Sequence, residues 1–133
     1  MRGPVVALLG AAALSGCATE SGLYRWGGYD DALYSHYKNP QDRAAFVKRL
    51  KTIVLEAEQS GRKVPPGIYA EYGYALYEEG QYDQAATYFQ KERDLWPESR
   101  TFMEKMLRNA QRQAAPGAGP GPQGPAGALE KSR

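Results

Sequence analysis

Side-chain catalysis needs a nucleophile, a base or a metal-binding set, and this chain offers little of any. His36 is the only histidine and Cys17 the only cysteine in 133 residues. No nucleophile–histidine arrangement is visible in the sequence, although such a constellation is recognised in space. The acidic pairs Asp30-Asp31 and Glu78-Glu79 are adjacent, and neighbours in sequence do not face one another on a helix. They read as helix-end and solvent charges. No cluster has zinc or calcium spacing, and no glycine-rich loop is placed to cradle phosphate. The expectation is a non-enzymatic chain with no cofactor, no metal and no small-molecule substrate. What the sequence does hold is tyrosine: ten, all between Tyr24 and Tyr88. Tyr74 and Tyr77 are three apart and thus neighbours on one helical face. Large amphipathic rings of this kind suit protein recognition.

Cys17 carries a different chemistry. Arg2 gives a short positive start, and Pro4 to Leu14 is apolar, far short of the about 20 residues a spanning helix needs. Leu14-Ser15-Gly16-Cys17 follows and resembles the lipobox of bacterial lipoproteins. The resemblance implies a diacylglyceryl group on the thiol, cleavage before Cys17, and a further acyl chain (palmitate-like) on the freed amine. Several chains anchor far more firmly than one. Ala18 and Thr19 stand after the cysteine, where lipoproteins retained at the inner membrane carry Asp. By that resemblance the mature protein is lipid-anchored in the outer membrane and faces the periplasm. Residues 1–16 are then the signal peptide, and residues 17–28 the lipidated cysteine with a short lead in which Tyr24 and Trp26 are possible anchors.

One small domain must follow, over residues 29–113. The formal net charge of +2 drops to about +1 once Arg2 leaves, and no basic stripe or module argues for nucleic acid. With one cysteine there is no intrachain disulfide, so an apolar core or a partner must hold the fold. From Tyr29 the pattern is helical. Asn39-Pro40-Gln41-Asp42 reads as a helix start, with a capping side chain, a proline at the first helical position and an acid in the first turn. Phe46, Leu50, Ile53, Val54 and Ala57 then share one face. Gly61 is a stop, and Val64-Pro65-Pro66-Gly67 a break.

Tyr69, Tyr72, Gly73, Leu76, Gly80, Tyr82, Ala85, Phe89 and Pro97 fall at the spacings of a tetratricopeptide repeat, a helix–turn–helix of about 34 residues. Gly73 and Ala85 are small where two antiparallel helices approach, Gly80 permits the turn, and Pro97 ends the second helix. A lone hairpin cannot bury both faces, and flanking helices are available. Gly27-Gly28-Tyr29-Asp30-Asp31-Ala32 repeats the G-x-Y-D-x-A of Gly80 to Ala85, as a degenerate half-repeat. Met103, Met106, Leu107 and Ala110 make an amphipathic closing helix. The expected fold is therefore all-α, a tetratricopeptide-like hairpin with flanking helices. Glu92 departs from the repeat, standing where the family has a small alanine. It requires either an altered packing angle or a polar partner. In that family the first helix of each repeat lines the binding groove, which implies that Ala70, Tyr74, Tyr77 and Glu78 face it here. The alternative is that the half-repeat or the closing helix covers both rings.

Residues 114–133 are rich in Pro and Gly without a strict period of three, which excludes collagen; a disordered tail is expected. From Leu23-Tyr24-Arg25-Trp26-Gly27-Gly28-Tyr29 to Pro97-Glu98-Ser99, the chain resembles a family of small bacterial lipoproteins whose domain has no assigned function. Members are typically encoded beside a CsgG-like lipoprotein. The resemblance implies a periplasmic protein-binding accessory or adaptor whose partners are the membrane, through lipid on Cys17, and an envelope protein such as a CsgG-like lipoprotein. A peptidoglycan- or glycan-binding factor, or a small cell-wall enzyme, is the alternative.

Overall fold

The computed structural model describes residues 23–117. The leader, Cys17 and most of the Pro/Gly-rich tail lie outside these residues, so the expectations for them meet no structural observation. Every secondary-structure element among the described residues is a helix. In order they are α1 (Tyr29–Lys38), α2 (Arg43–Gln59), α3 (Ile68–Glu78), α4 (Tyr82–Leu95), a short 3-10 turn (Pro97–Ser99) and α5 (Arg100–Ala114). Successive helices pack as hairpins, α1 on α2, α3 on α4 and α4 on α5, with α2 resting on α3.

The apolar face expected on α2 is the face that is buried. Leu50, Ile53, Val54 and Ala57 are inaccessible, and Phe46 packs at the margin. They join Ile68, Tyr69, Tyr72 and Leu76 of α3, Ala85 and Phe89 of α4, and Met103, Leu107 and Ala110 of α5 in one core. Val64 is buried as well, so the break between α2 and α3 contributes to the core.

Two glycines set the central hairpin. Gly80 has φ +78°, a conformation that side chains with a Cβ resist. There the N–H groups of Gly80 and Gln81 return to the carbonyls of Tyr77 and Leu76 at 3.1 and 2.9 Å, closing α3 by the paired bonds of a Schellman stop. Gly73 acts through space instead. A Cβ on it would lie 2.9 Å from Cε1 of Phe89 and 3.2 Å from Cβ of Tyr88, so α4 approaches α3 more closely than any other residue would allow.

One helix boundary differs from expectation. Asn39-Pro40-Gln41-Asp42 does not begin α2. The Asn39 N–H closes α1 on the Ser35 carbonyl at 2.9 Å, and Asp42 N–H bonds the Asn39 carbonyl at 3.0 Å. Asn39 is held out of helical geometry, at φ −130° and ψ 75°, as residues before proline prefer. The four residues serve as the reversal between two packed helices, and α2 starts at Arg43 with no side-chain cap from Asp42.

Candidate partner-binding face

The face expected to bind a partner runs along α3 as Ala70, Tyr74, Tyr77 and Glu78. Helical spacing puts these four on one side, but the neighbouring elements treat them differently. Tyr74 is 46% exposed. Ala70 and Glu78 are half-buried. Tyr77 is buried, only 5% exposed, which corrects the expectation that both rings face a groove. The Tyr82 ring at the start of α4 lies edge-on to Tyr77, with centroids 5.2 Å apart, and Arg112 of α5 is near enough to act on its phenol. The following helices thus cover Tyr77, while Tyr74 stacks against it at 6.4 Å with the planes 19° apart. Tyr74 is therefore an open ring backed by a buried one.

Glu78 is not a free groove carboxylate either. Arg43, at the first turn of α2, forms an ion pair with it and also donates to the Ala75 carbonyl at 3.3 Å. One side chain thereby ties the start of α2 to the end of α3. Burial, and then the Glu78 carboxylate, push the Tyr74 phenol up from its ordinary value. For Tyr77 burial acts first and Tyr82 second, against the opposing charge of Arg112. Both rings are neutral phenols, able to donate and accept hydrogen bonds.

Other polar groups on α3 hold the helix in place. Tyr29, the first residue of α1, donates to Oε1 of Glu71 at 2.6 Å; burial and this hydrogen bond raise its phenol well above the usual range. On the opposite flank, Tyr69 and Lys91 both donate to Oε1 of Glu58 at 2.7 Å, joining α2, α3 and α4. Although burial works to raise the Glu58 carboxyl, the bonds from Lys91 and Tyr69 hold it below its usual value.

Glu92 resolves the sequence's open question in favour of a polar partner. It is fully buried. Its Oε1 accepts the Gly67 N–H at 2.8 Å, at the start of α3, and the Ser99 hydroxyl at 3.1 Å, at the start of α5. Its Oε2 is buried without a partner. Burial drives this carboxyl above its normal pKa against those two hydrogen bonds, which favours the protonated acid.

His36 lies flat on Phe46, centroids 4.9 Å apart and planes 3° apart, which is a packing role. It also borders a shallow cavity of about 320 Å³ between α1 and α2, with Asp31, Ser35, Asp42 and Arg49. Sequence reasoning missed this grouping, and it missed Arg43 and the Tyr29–Glu71 bond. Each joins residues from separate helices, and no local spacing marks such pairs. Among the described residues no three His, Cys, Asp or Glu side chains gather as a metal site, and no helix is long and apolar enough to cross a membrane.

Among known proteins, a family model described as a domain of unknown function (DUF4810) matches residues 23–106. No curated protein and no solved structure matches the chain. The matched span begins in the aromatic lead, runs through the α3–α4 hairpin and ends within α5, so the chain belongs to the DUF4810 family.

Proposed function

We propose that this protein is a non-enzymatic outer-membrane lipoprotein, anchored through Cys17, whose helical domain binds an envelope protein at the periplasmic face. The observation that carries the binding role is Tyr74. It is a half-exposed ring on the first helix of the central hairpin, supported from beneath by Tyr77 and bordered by the Glu78–Arg43 pair. A rigid aromatic backed by a packed one can bury area at little conformational cost, as interaction hot spots do. The spacing of Gly73, Gly80 and Ala85 supports reading α3–α4 as a tetratricopeptide-like repeat, and α3 is then its groove-lining helix. A CsgG-like lipoprotein is the leading partner through the family resemblance. Lipid would confine both proteins to one surface, and the resulting effective concentration lets a weak contact suffice.

Affinity capture of the lipidated protein from solubilised outer membrane, with Tyr74→Ala as control, tests this. Specific recovery of one envelope protein, lost in a Tyr74→Ala chain of unchanged helicity, is the expected result. Equal recovery with both chains would remove Tyr74 from the interface. Recovery with peptidoglycan in place of a protein would replace the adaptor reading with wall binding.

A further inference from the structure

Helix α1 is arranged differently from the other four α-helices: none of its residues is buried. Tyr29, Ala32 and His36 turn toward α2 and are half-covered. The exposed side carries Leu33 at 42%, Tyr34 at 63% and Tyr37 at 79% exposure. Positions 33 and 37 are four apart and 34 and 37 three apart, so the three form one stripe. Lys38 Nζ sits 5.5 Å above the Tyr34 ring, a cation–π contact at the end of the stripe. The lead before α1 runs across α2 instead, with Arg25 paired to Glu56 and the Tyr24 ring 5.5 Å from that of Trp96. Trp26 is 41% exposed and packs on Tyr29 with centroids 5.7 Å apart, its carbonyl accepting the Tyr29 N–H at 2.9 Å, and Leu23 is 86% exposed. The exposed stripe of α1, on the outside of a small domain, marks a contact surface.

The position of the anchor indicates what covers it. Cys17 lies six residues before Leu23, and six residues span at most about 20 Å. If lipid on Cys17 is seated in a bilayer, Leu23 is kept within about 20 Å of its surface, and α1 begins six residues further on. Two tyrosines, a leucine and a neighbouring lysine are a composition that membrane–water interfaces favour. We propose that the outer stripe of α1, formed by Leu33, Tyr34 and Tyr37, lies against the phospholipid surface as an interfacial helix. It fixes the orientation of the domain relative to the bilayer. Asp30 and Asp31 offset the basic end of α1, so the contact is apolar and persists in high salt. The inference rests on the lipoprotein reading, and the experiment separates the two.

Intact mass of the mature protein establishes whether Cys17 carries lipid. Amide hydrogen exchange is then compared between the lipidated chain in phosphatidylethanolamine–phosphatidylglycerol vesicles and the Cys17→Ser chain in solution. The expected result is exchange across 29–38 slowed by roughly tenfold or more in vesicles. That protection is lost in a lipidated Leu33→Ser/Tyr34→Ser/Tyr37→Ser chain of unchanged helicity, because the three side chains support no core. A lipidated chain whose α1 exchanges equally fast in both settings overturns the membrane contact and leaves the lipoprotein reading intact. A mature chain without lipid overturns both. Protection that grows with protein concentration in the absence of vesicles assigns the stripe to a second copy. Protection in native envelope but not in pure lipid assigns it to a protein. Either outcome overturns the proposal.

Discussion

The same six-residue pattern opens two helices of this protein, with different results. Gly27 to Ala32 leads into α1 and Gly80 to Ala85 into α4, and in both the tyrosine is the first helical residue. At α4, Ala85 is fully buried and Tyr82 covers Tyr77. At α1, Ala32 is half-buried, no residue is buried, and Tyr29 reaches Glu71 through its hydroxyl. Glycine, tyrosine and acid therefore specify where a helix begins, by turn geometry and by negative charge at the helix start. They do not specify how deeply it packs. Helix α4 lies between α3 and α5, whereas α1 has only α2 along its length. The outer arm is left with an uncovered face as a result.

The contrast between the arms can be tested directly. Phe89 fills the central hairpin and Phe46 the margin of the outer one. Phe89→Ala should cost about 3–5 kcal/mol in urea unfolding, and Phe46→Ala only about 1–2 kcal/mol, since less area leaves water there. Equal losses would mean that the arms share one core on equal terms. A smaller effect is expected from paired alanines. Ala85→Val overpacks a sealed contact and should lower stability by about 1–3 kcal/mol. Ala32→Val, at a half-open site, should stay within about 0.5 kcal/mol.

Glu92 sharpens the contrast through pH. Its carboxyl is raised above the ordinary value of 4.5 in the folded chain, so between that value and its raised pKa the folded state binds more protons than the unfolded one. The stability it contributes is complete below the ordinary carboxylate pKa and is lost as pH rises through the raised one. Unfolding measured from acid to neutral pH should show this decline in the native chain, and Glu92→Gln should flatten it. The slope surviving in the glutamine variant would trace it to other carboxylates. A comparably small effect belongs to Tyr74→Ala, within about 0.5 kcal/mol, because that residue is already 46% exposed. Tyr77→Ala, one turn along the same helix, should cost several times more. Comparable losses from the two would place Tyr74 in the core and end its candidacy as a binding residue.

Much of this was legible before any coordinates. Apolar periodicity identified the buried face of α2 and the closing helix, because helical spacing alone decides which residues share a side. Gly73, Gly80 and Ala85 announced the hairpin, since close approach and left-handed turns admit few residue types. The family match, over residues 23–106, includes that stretch. Less legible was the reversal at Asn39–Asp42. A capping side chain followed by proline also satisfies a link between helices, and only the direction of the next helix distinguishes the two.

The sequence by itself determined an all-helical chain, the close packing of one hairpin, and the need of Glu92 for either a partner or a distortion. Those properties reside in neighbours a few residues apart, where composition and period act directly. Only the tertiary structure decided that Tyr77 is covered and Tyr74 open, that Arg43 holds Glu78, and that Glu92 bonds to Gly67 and Ser99. Tyr82, Arg43 and Gly67 come from other elements. Which rings they leave exposed depends on helix crossings that no local spacing encodes.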